Sequence, residues 1–364
     1  VMNAFFDLVI GFSNWLWGTP MLILLAGGGL FLTFRLGFFQ FRYLGYIWKQ
    51  TFGKMFQKPE DKDAISPFQA ATAALASTIG ASNIVGVPVA IAFGGPGAVF
   101  WMWVIALIGS ASKFSELVLG IKYREKNEAG EYAGGPTYYL AKGFKNKKIG
   151  KFLGRWFAFF LMIELIPSIA TQAGSAVQTA GTIGVPPMVT GVGMALIVFI
   201  VVFGGIKRIT QVTEKMVPIM ALLYIVGGLV IIVANITHLP GVIALIFKSA
   251  FTPVAASGGF AGSTVALALR WGAARGTYSN EAGMGTAPIA HATAETDHPV
   301  RQAFWGIFEI TVDTLMVCTI TALVVLITGM WESVPSAEAA SIPALAFGKM
   351  FGPAGGIVVT ISIL

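Results

Sequence analysis

Long apolar runs set the rhythm of the chain. Stretches near the roughly 20 residues that cross a bilayer as a helix recur at 12–34, 66–91, 96–121, 153–182, 187–206, 211–235, 258–292, 302–330 and 341–364, and predict nine spans. Two of them differ from the rest. Gly, Pro, Ser, Thr, Asn and charged residues interrupt the runs at 66–91 and 258–292, each at the start of what reads as one of two similar halves. The first thirty residues hold no Lys or Arg. The run at 15–34 therefore lacks the positive flank of a cleavable signal and reads as a retained helix.

Charge orders the connections. Six Lys or Arg fall between Arg35 and Lys62, nine between Lys122 and Arg155, three between Lys207 and Lys215, and one at Arg301. The alternate connections, near 92–95, 183–187, 236–257 and 331–340, carry only Lys248 together with Glu332 and Glu338. The positive-inside rule then places the N-terminus outside. The first interrupted span runs outward and the second inward, the opposition an inverted-topology repeat requires. The divisions expected are 1–65, an extra span with a basic segment, then 66–257 and 258–364 as the two repeats. The second holds three spans against five, and the chain ends at Leu364 inside an apolar run, so about two further helices are expected beyond it.

The basic segment Arg35–Lys62 is interleaved with Phe38, Phe39, Tyr43, Tyr46 and Trp48 and reads as an interfacial helix, with a solvated loop as the alternative. Residues 123–151, with Glu128, Glu131, several lysines and a Gly134-Gly135-Pro136 turn, read as a connection on the same side.

Composition agrees with a bilayer as solvent: 55% of residues are hydrophobic, 11% are charged and mean hydropathy is +0.76. The 44 glycines and 17 prolines suit helices that approach closely or break at membrane depth. A net charge of +7 would favour nucleic acid if it lay on a solvated face, but here it clusters between apolar runs and reports topology. Cys318 is the single cysteine, which excludes an internal disulfide, and His238, His291 and His298 lack ligand-like spacing, so neither a structural metal nor a cofactor is expected.

The chemistry lies at the interruptions. In residues 76–88, Gly80 and Gly86 weaken the helix, Pro88 removes a donor, and small polar side chains cluster. Freed amides there favour a carboxylate and freed carbonyls a monovalent cation, whereas tight helix packing is the competing reading. In residues 269–285 two arginines, an acid and four glycines interrupt the span. Charges at that depth must face a cavity or each other. Arg275 and Glu281 are expected to form a gate pair, and Trp271 beside Gly272 a wall over a small substrate. Three further acids, Glu164, Glu309 and Asp313, fall inside spans. Glu164 would couple protons if desolvation raised its pKa, the alternative being a basic partner or snorkelling. Lys113 and Glu116, three residues apart, are expected to pair locally.

Two segments carry a family resemblance. Gly94-Gly95-Pro96-Gly97-Ala98-Val99-Phe100-Trp101-Met102-Trp103 and Ser279-Asn280-Glu281-Ala282-Gly283-Met284-Gly285-Thr286-Ala287-Pro288-Ile289-Ala290-His291-Ala292 resemble signatures of the alanine or glycine:cation symporters. The resemblance runs from about residue 12 to the end. It implies an all-α polytopic protein with a LeuT-like 5+5 inverted repeat after one extra transmembrane helix. It also implies sodium-coupled uptake of small neutral amino acids, alanine or glycine, across the plasma membrane of a bacterial or archaeal cell by alternating access.

Carried over by motif, the family's Gly-Thr-Gly-Asn turn stands here as Gly80-Ala81-Ser82-Asn83. Asn83 is kept, and the hydroxyl has moved by one position. The substrate set the resemblance implies is Thr78, Gly80, Ala81, Ser82, Gln172, Trp271 and Gly272. For sodium it points to Asn83, the carbonyls of Ala76 and Ile79, and the hydroxyls of Thr360 and Ser362. Asp313 fits the family's Asp-Thr pattern and joins Arg275, Glu281 and Glu164 as gating or coupling candidates. A channel would need a repeated filter of carbonyls or charges, and an intramembrane enzyme a nucleophile with its base or metal ligands. The sequence supplies neither.

Overall fold

The computed structural model describes residues 2–55, 65–128, 130–258 and 260–363. It is a helical bundle with one small β-hairpin, Glu125–Lys126 against Tyr132–Ala133. Five helices among the described residues are long and apolar enough to cross a membrane: α1 (Asp7–Arg35), α5 (Gly97–Lys122), α7 (Lys147–Gly181), a stretch Gln211–Ala234 within α9 (Gly205–Ala234), and α13 (Pro299–Ile327). The pair Pro67–Ala76 and Ala81–Gly94, bent by 53°, makes a sixth if taken as one span. The protein is a multi-pass membrane protein. Its outer faces agree, for α7 and α8 (Pro187–Val202) present Phe160, Ile166, Ile169, Leu196 and Phe199 to the surroundings. Only lipid makes that favourable.

Between α1 and the first bent span lies α2 (Leu44–Thr51), from the basic aromatic segment. It is no loop: Ile47 and Thr51 are buried, and Trp48 approaches Phe308 of α13 at 6.0 Å. Residues 56–62 of that segment, with Lys58 and Lys62, lie outside the described residues, as does Leu364.

Helix α3 (Pro67–Thr78) begins on a capping box, with the Gln69 amide donating to Ser66 Oγ at 3.1 Å and the Ser66 amide to Gln69 Oε1 at 2.9 Å. It stops at Ile79-Gly80, where both residues are extended, and resumes as α4 (Ala81–Gly94). Beyond α5, the amphipathic α6 (Pro136–Gly143) packs on α7.

Four expected boundaries are corrected. The run at 187–206 gives a helix only to Val202. The connection 236–257 contains α10 (Leu239–Phe251), packed on α5. The run at 258–292 holds α11 (Val265–Asn280), a non-helical turn and α12 (Ala287–His291), preceded by loop. Gly283 and Gly285 have φ of +90° and +77° there, a conformation side chains disfavour, and Glu281 adopts it too at +57°. Last, 341–364 splits at Gly352 (φ +61°) and Pro353 into α14 (Ile342–Phe351) and α15 (Pro353–Ile363).

Helix α5 is the hub, touching α1, α4, α6, α10, α11, α12 and α13. Small residues make this close approach possible. A Cβ on Gly120 would lie 2.7 Å from Pro288 Cβ, and one on Gly94 2.8 Å from Trp271 Cβ. A second core joins α3, α9, α13 and α14, where the Tyr224 hydroxyl lies 2.8 Å from Thr321 Oγ1 and its ring stacks on Phe347 at 5.2 Å.

Overpacking a fitted contact costs about 1–3 kcal/mol, so Gly120→Val lowers the midpoint of thermal unfolding in detergent. Gly27→Ala, with nothing within 4 Å of the added carbon, leaves stability within about 0.5 kcal/mol of the parent's and the midpoint nearly unmoved.

Candidate functional site

Both interrupted spans converge on one carboxylate. Residues 311–318 of α13 are wound as a π-helix, a local widening that often marks functional positions, and Asp313 sits in it, 1% exposed. Asn83 of α4 donates from Nδ2 to Asp313 Oδ1 at 2.6 Å and to its carbonyl at 3.2 Å. Ser279, at the end of α11, and Thr314 each donate a hydroxyl to Oδ2 at 2.7 Å. Asn280 Nδ2 in turn reaches Thr314 Oγ1 at 3.2 Å. Cys318 completes the wall, its Sγ 3.2 Å from Ser279 Oγ.

The bend between α3 and α4 faces this cluster. Gly80 donates its amide to Asn83 Oδ1 at 3.2 Å and so leaves the helical ladder. Ser82 Oγ donates to the Thr78 carbonyl and lies 3.0 Å from Asn83 Oδ1. The hydroxyl displaced by one position thus belongs to the bend itself. Thr78 is buried and bonds back to the Leu75 carbonyl at 3.2 Å.

Beside the bend lies a cavity of about 350 Å³. Ala81, Ser82 and Gly86 form its floor, and Thr171, Gln172, Ser175 and Gln178 of α7 one wall. Arg275 and Tyr278 of α11 form another, and the 3-10 segment Ser336–Ser341 lies across the mouth beside Phe93. The mouth therefore points away from the basic connections. Gln172 and Gln178 are exposed to this space.

The opposite, basic end is closed by a buried network. Lys113 Nζ of α5 lies 2.9 Å from Glu309 Oε2 and donates to the Asn280 carbonyl at 2.8 Å. The other Glu309 oxygen lies 2.6 Å from His291 Nε2, and His291 Nδ1 lies 2.9 Å from Gln302 Nε2, which also donates to the Pro67 carbonyl at 3.2 Å. This ties the first turn of α3, the end of α11, α12 and α13 to the hub helix. Arg124 adds a clamp, donating to the carbonyls of Ala292 and Ala294 at 2.8 and 2.6 Å.

The structure sorts the expected residues. Ala81, Ser82, Gln172 and Arg275 meet at the cavity, and Asn83 and Asp313 meet beneath it. Gly272 does not belong there: it is buried where α11 crosses α5, and an added Cβ would lie 2.7 Å from Trp101 Cβ. Trp271 stacks on Phe93 at 4.9 Å and lines a separate recess of about 280 Å³ with Asn14, Trp17 and Arg270. Arg275 lies over the rings of Trp271 and Tyr278, at 5.5 and 6.0 Å, and Glu281 accepts the Thr286 hydroxyl at 2.5 Å; the expected gate pair is not among the ion pairs of the described residues. Lys113 pairs with Glu309 rather than Glu116, which accepts the Gly283 amide at 3.4 Å. Glu164 is half-exposed on α7, not buried, and does not line the cavity. Thr360 and Ser362 are buried and donate to the carbonyls of Gly356 and Val358, each at 2.8 Å, on a helix that packs beside Ala81–Ile84. Ala76 and Ile79 lie at the end of α3, next to the bend.

Sequence reasoning missed Ser279, Thr314, Gln178, Tyr278 and the partners of Lys113. A signal existed for one of them. Thr171, Ser175 and Gln178 recur at four- and three-residue spacing, a polar stripe on an otherwise apolar helix.

A broken span beside a cavity, with polar groups meeting at the break, is the anatomy of a transporter. The sodium:alanine symporter family matches residues 2–364, and this chain belongs to it: it is a cation-coupled amino acid transporter, not an enzyme. Among its relatives, the uncharacterized transporter YflA of Bacillus subtilis is 53% identical over 97% of this chain and 74% of that protein. The sodium/alanine symporter AgcS of Methanococcus maripaludis is 45% identical over 99% of this chain and 79% of its own length. The probable sodium/glutamine symporter GlnT of Bacillus subtilis is 39% identical, over 91% and 68%.

Removing one partner of a buried ion pair leaves the other uncompensated and costs about 3–5 kcal/mol. Lys113→Met therefore strongly lowers the thermal unfolding midpoint in detergent. The double variant with Glu309→Leu recovers much of the loss, a recovery that a purely steric role for Lys113 would not give.

Proposed function

We propose that this chain couples sodium influx to uptake of small neutral amino acids, alanine or glycine, by alternating access across the plasma membrane. The observation that carries the reading is the convergence of both interrupted spans on Asp313, next to a bend whose Ala81 and Ser82 line a cavity of about 350 Å³. Residues 66–257 and 258–364 form the two inverted repeats of a LeuT-like fold, preceded by 1–65, with the N-terminus outside. The basic end is then cytoplasmic, and the conformation is outward-open.

In this reading the amino group and carboxylate of the substrate lie along the bend at Ala81-Ser82, where the first amides of α4 favour an anion. Gln172 fixes orientation from α7. Sodium takes oxygens from Asp313, Asn83, Ser279 and Thr314, a set that supplies both a negative charge and neutral dipoles to a dehydrated ion. The carbonyls of Ala76 and Ile79, with Thr360 and Ser362 on α15, form the second place for the ion. Binding of ion and substrate draws α4 and α11 together over the cavity, and release follows when the Lys113–Glu309–His291 network at the other end parts.

In proteoliposomes, radiolabelled alanine uptake is expected to require an inward sodium gradient. Asn83→Ala and Gln172→Ala lose most of it, and Asp313→Asn raises the sodium concentration for half-maximal uptake by about tenfold or more. Uptake that persists when choline replaces sodium removes the coupling. Proton-driven uptake in its place would redirect attention to Glu164. Parallel uptake of glycine and glutamine reads out how much side chain the cavity accepts.

A further inference from the structure

Among the described residues, the fully buried charged side chains Lys113, Glu309 and Asp313 have partners. Lys113, Glu309 and His291 satisfy one another, and Asp313 accepts from three side chains. Arg275 has no carboxylate partner among the described residues. Its guanidinium rests between the rings of Trp271 and Tyr278, at 5.5 and 6.0 Å, and its stem crosses Gly86, where an added Cβ would lie 3.9 Å from Arg275 Cδ. It lines both the main cavity and the smaller recess, and no Asp or Glu is among the described residues lining either. Arg270 in the recess is engaged by Asn14, at 2.8 Å.

A guanidinium in such surroundings leaves its charge uncompensated, since two aromatic faces return only part of what desolvation removes. The cavity that Arg275 lines is a route by which an anion can reach it. A guanidinium also presents paired donors that match a carboxylate in two parallel hydrogen bonds, and it cannot discharge itself by losing a proton. Gly86 lies about one helical turn, roughly 5.4 Å, nearer the mouth than Ser82, which puts Arg275 on the way to the bend rather than at it.

We propose that Arg275 is the carboxylate-capture residue of the entry cavity: it binds the α-carboxylate of the incoming amino acid before that group moves one turn inward to the amides at Ala81-Ser82. This rests on the amino acid symport reading and deepens it. Selection for a free carboxylate is then made at the mouth, ahead of the test of side-chain size at the bend. The sign of the charge adds a second consequence. With the cavity empty, Arg275 opposes a lone cation, and the arriving carboxylate cancels that field.

The test uses the full chain in proteoliposomes under an inward sodium gradient, with radiolabelled alanine. Uptake by the parent protein establishes the symport reading independently of Arg275, and its absence would sink that reading first. Given uptake, Arg275→Gln is expected to raise KM about tenfold or more, with the loss falling mainly on KM rather than Vmax, and Arg275→Lys to recover part of it. Alaninamide, which lacks the carboxylate, competes at least about a hundredfold more weakly than alanine against the parent, and that ratio shrinks in Arg275→Gln. An unchanged KM with an unchanged ratio overturns the proposal. If Arg275→Gln does not fold, as judged by its elution and melting in detergent, the Lys variant decides: a KM equal to the parent's, with the same alaninamide ratio, rejects paired recognition.

Discussion

The Asp313 carboxylate holds the rest of the structure in register. A carboxylate in the middle of a membrane-spanning bundle is stable only while donors surround it, and here they come from α4, from the end of α11 and from the next residue of its own helix. Three irregularities serve this one group. The extended residues at Ile79-Gly80 turn Asn83 inward, the end of α11 at Asn280 leaves Ser279 at the junction, and the π-helical turn swings Asp313 toward both. Regularising any one of them would carry a donor or the acceptor away and strand the others. The breaks are therefore mutually dependent rather than three separate weaknesses.

Around that centre the two ends of the bundle obey opposite rules. At the basic end a buried network holds the helices together: Lys113, Glu309, His291 and Gln302 use their charges and amides on one another and on the carbonyls of Asn280 and Pro67, and Arg124 clamps the residues after α12. At the other end Gln172, Gln178 and Arg275 line an open cavity. Such an asymmetry suits a machine with two states, since polar groups left open on one side have hydrogen bonds still to gain on closing, whereas those on the other must give theirs up to open. The apolar surfaces of α7 and α8 carry no such tension, being solvated by lipid throughout.

Glycine links these features. The hub helix α5 reaches seven neighbours because Gly97, Gly109 and Gly120 on its own surface and Gly272 and Gly276 on α11 leave room for close contact. In a bilayer, where burial of apolar surface against apolar lipid gains little, such close packing and internal hydrogen bonds are what hold helices together.

The sequence by itself determined the solvent, the helical class and the break at Gly80, but not the π-helical turn at 311–318 or the split at Gly352. Apolar runs of bilayer length, few charges and clustered Gly, Ser and Asn are local quantities, and the physics that reads them is local too. It marked Asp313 as an acid at membrane depth, which needs a partner whatever the fold, while Asn83 was singled out by the family resemblance. Tertiary structure alone decided which partner. Lys113 finds Glu309, 196 residues on, instead of Glu116 one turn away, because α13 rather than α5 itself fills the space beside its ammonium. Gly272 looks like part of a binding wall in one dimension and is a helix crossing in three, since only the placement of α5 shows which side of α11 is covered. Periodicity gives the face of a helix but never the neighbour that face meets, and in a membrane bundle, where lipid and protein are equally apolar, nothing in the pattern of hydrophobic positions tells the two apart.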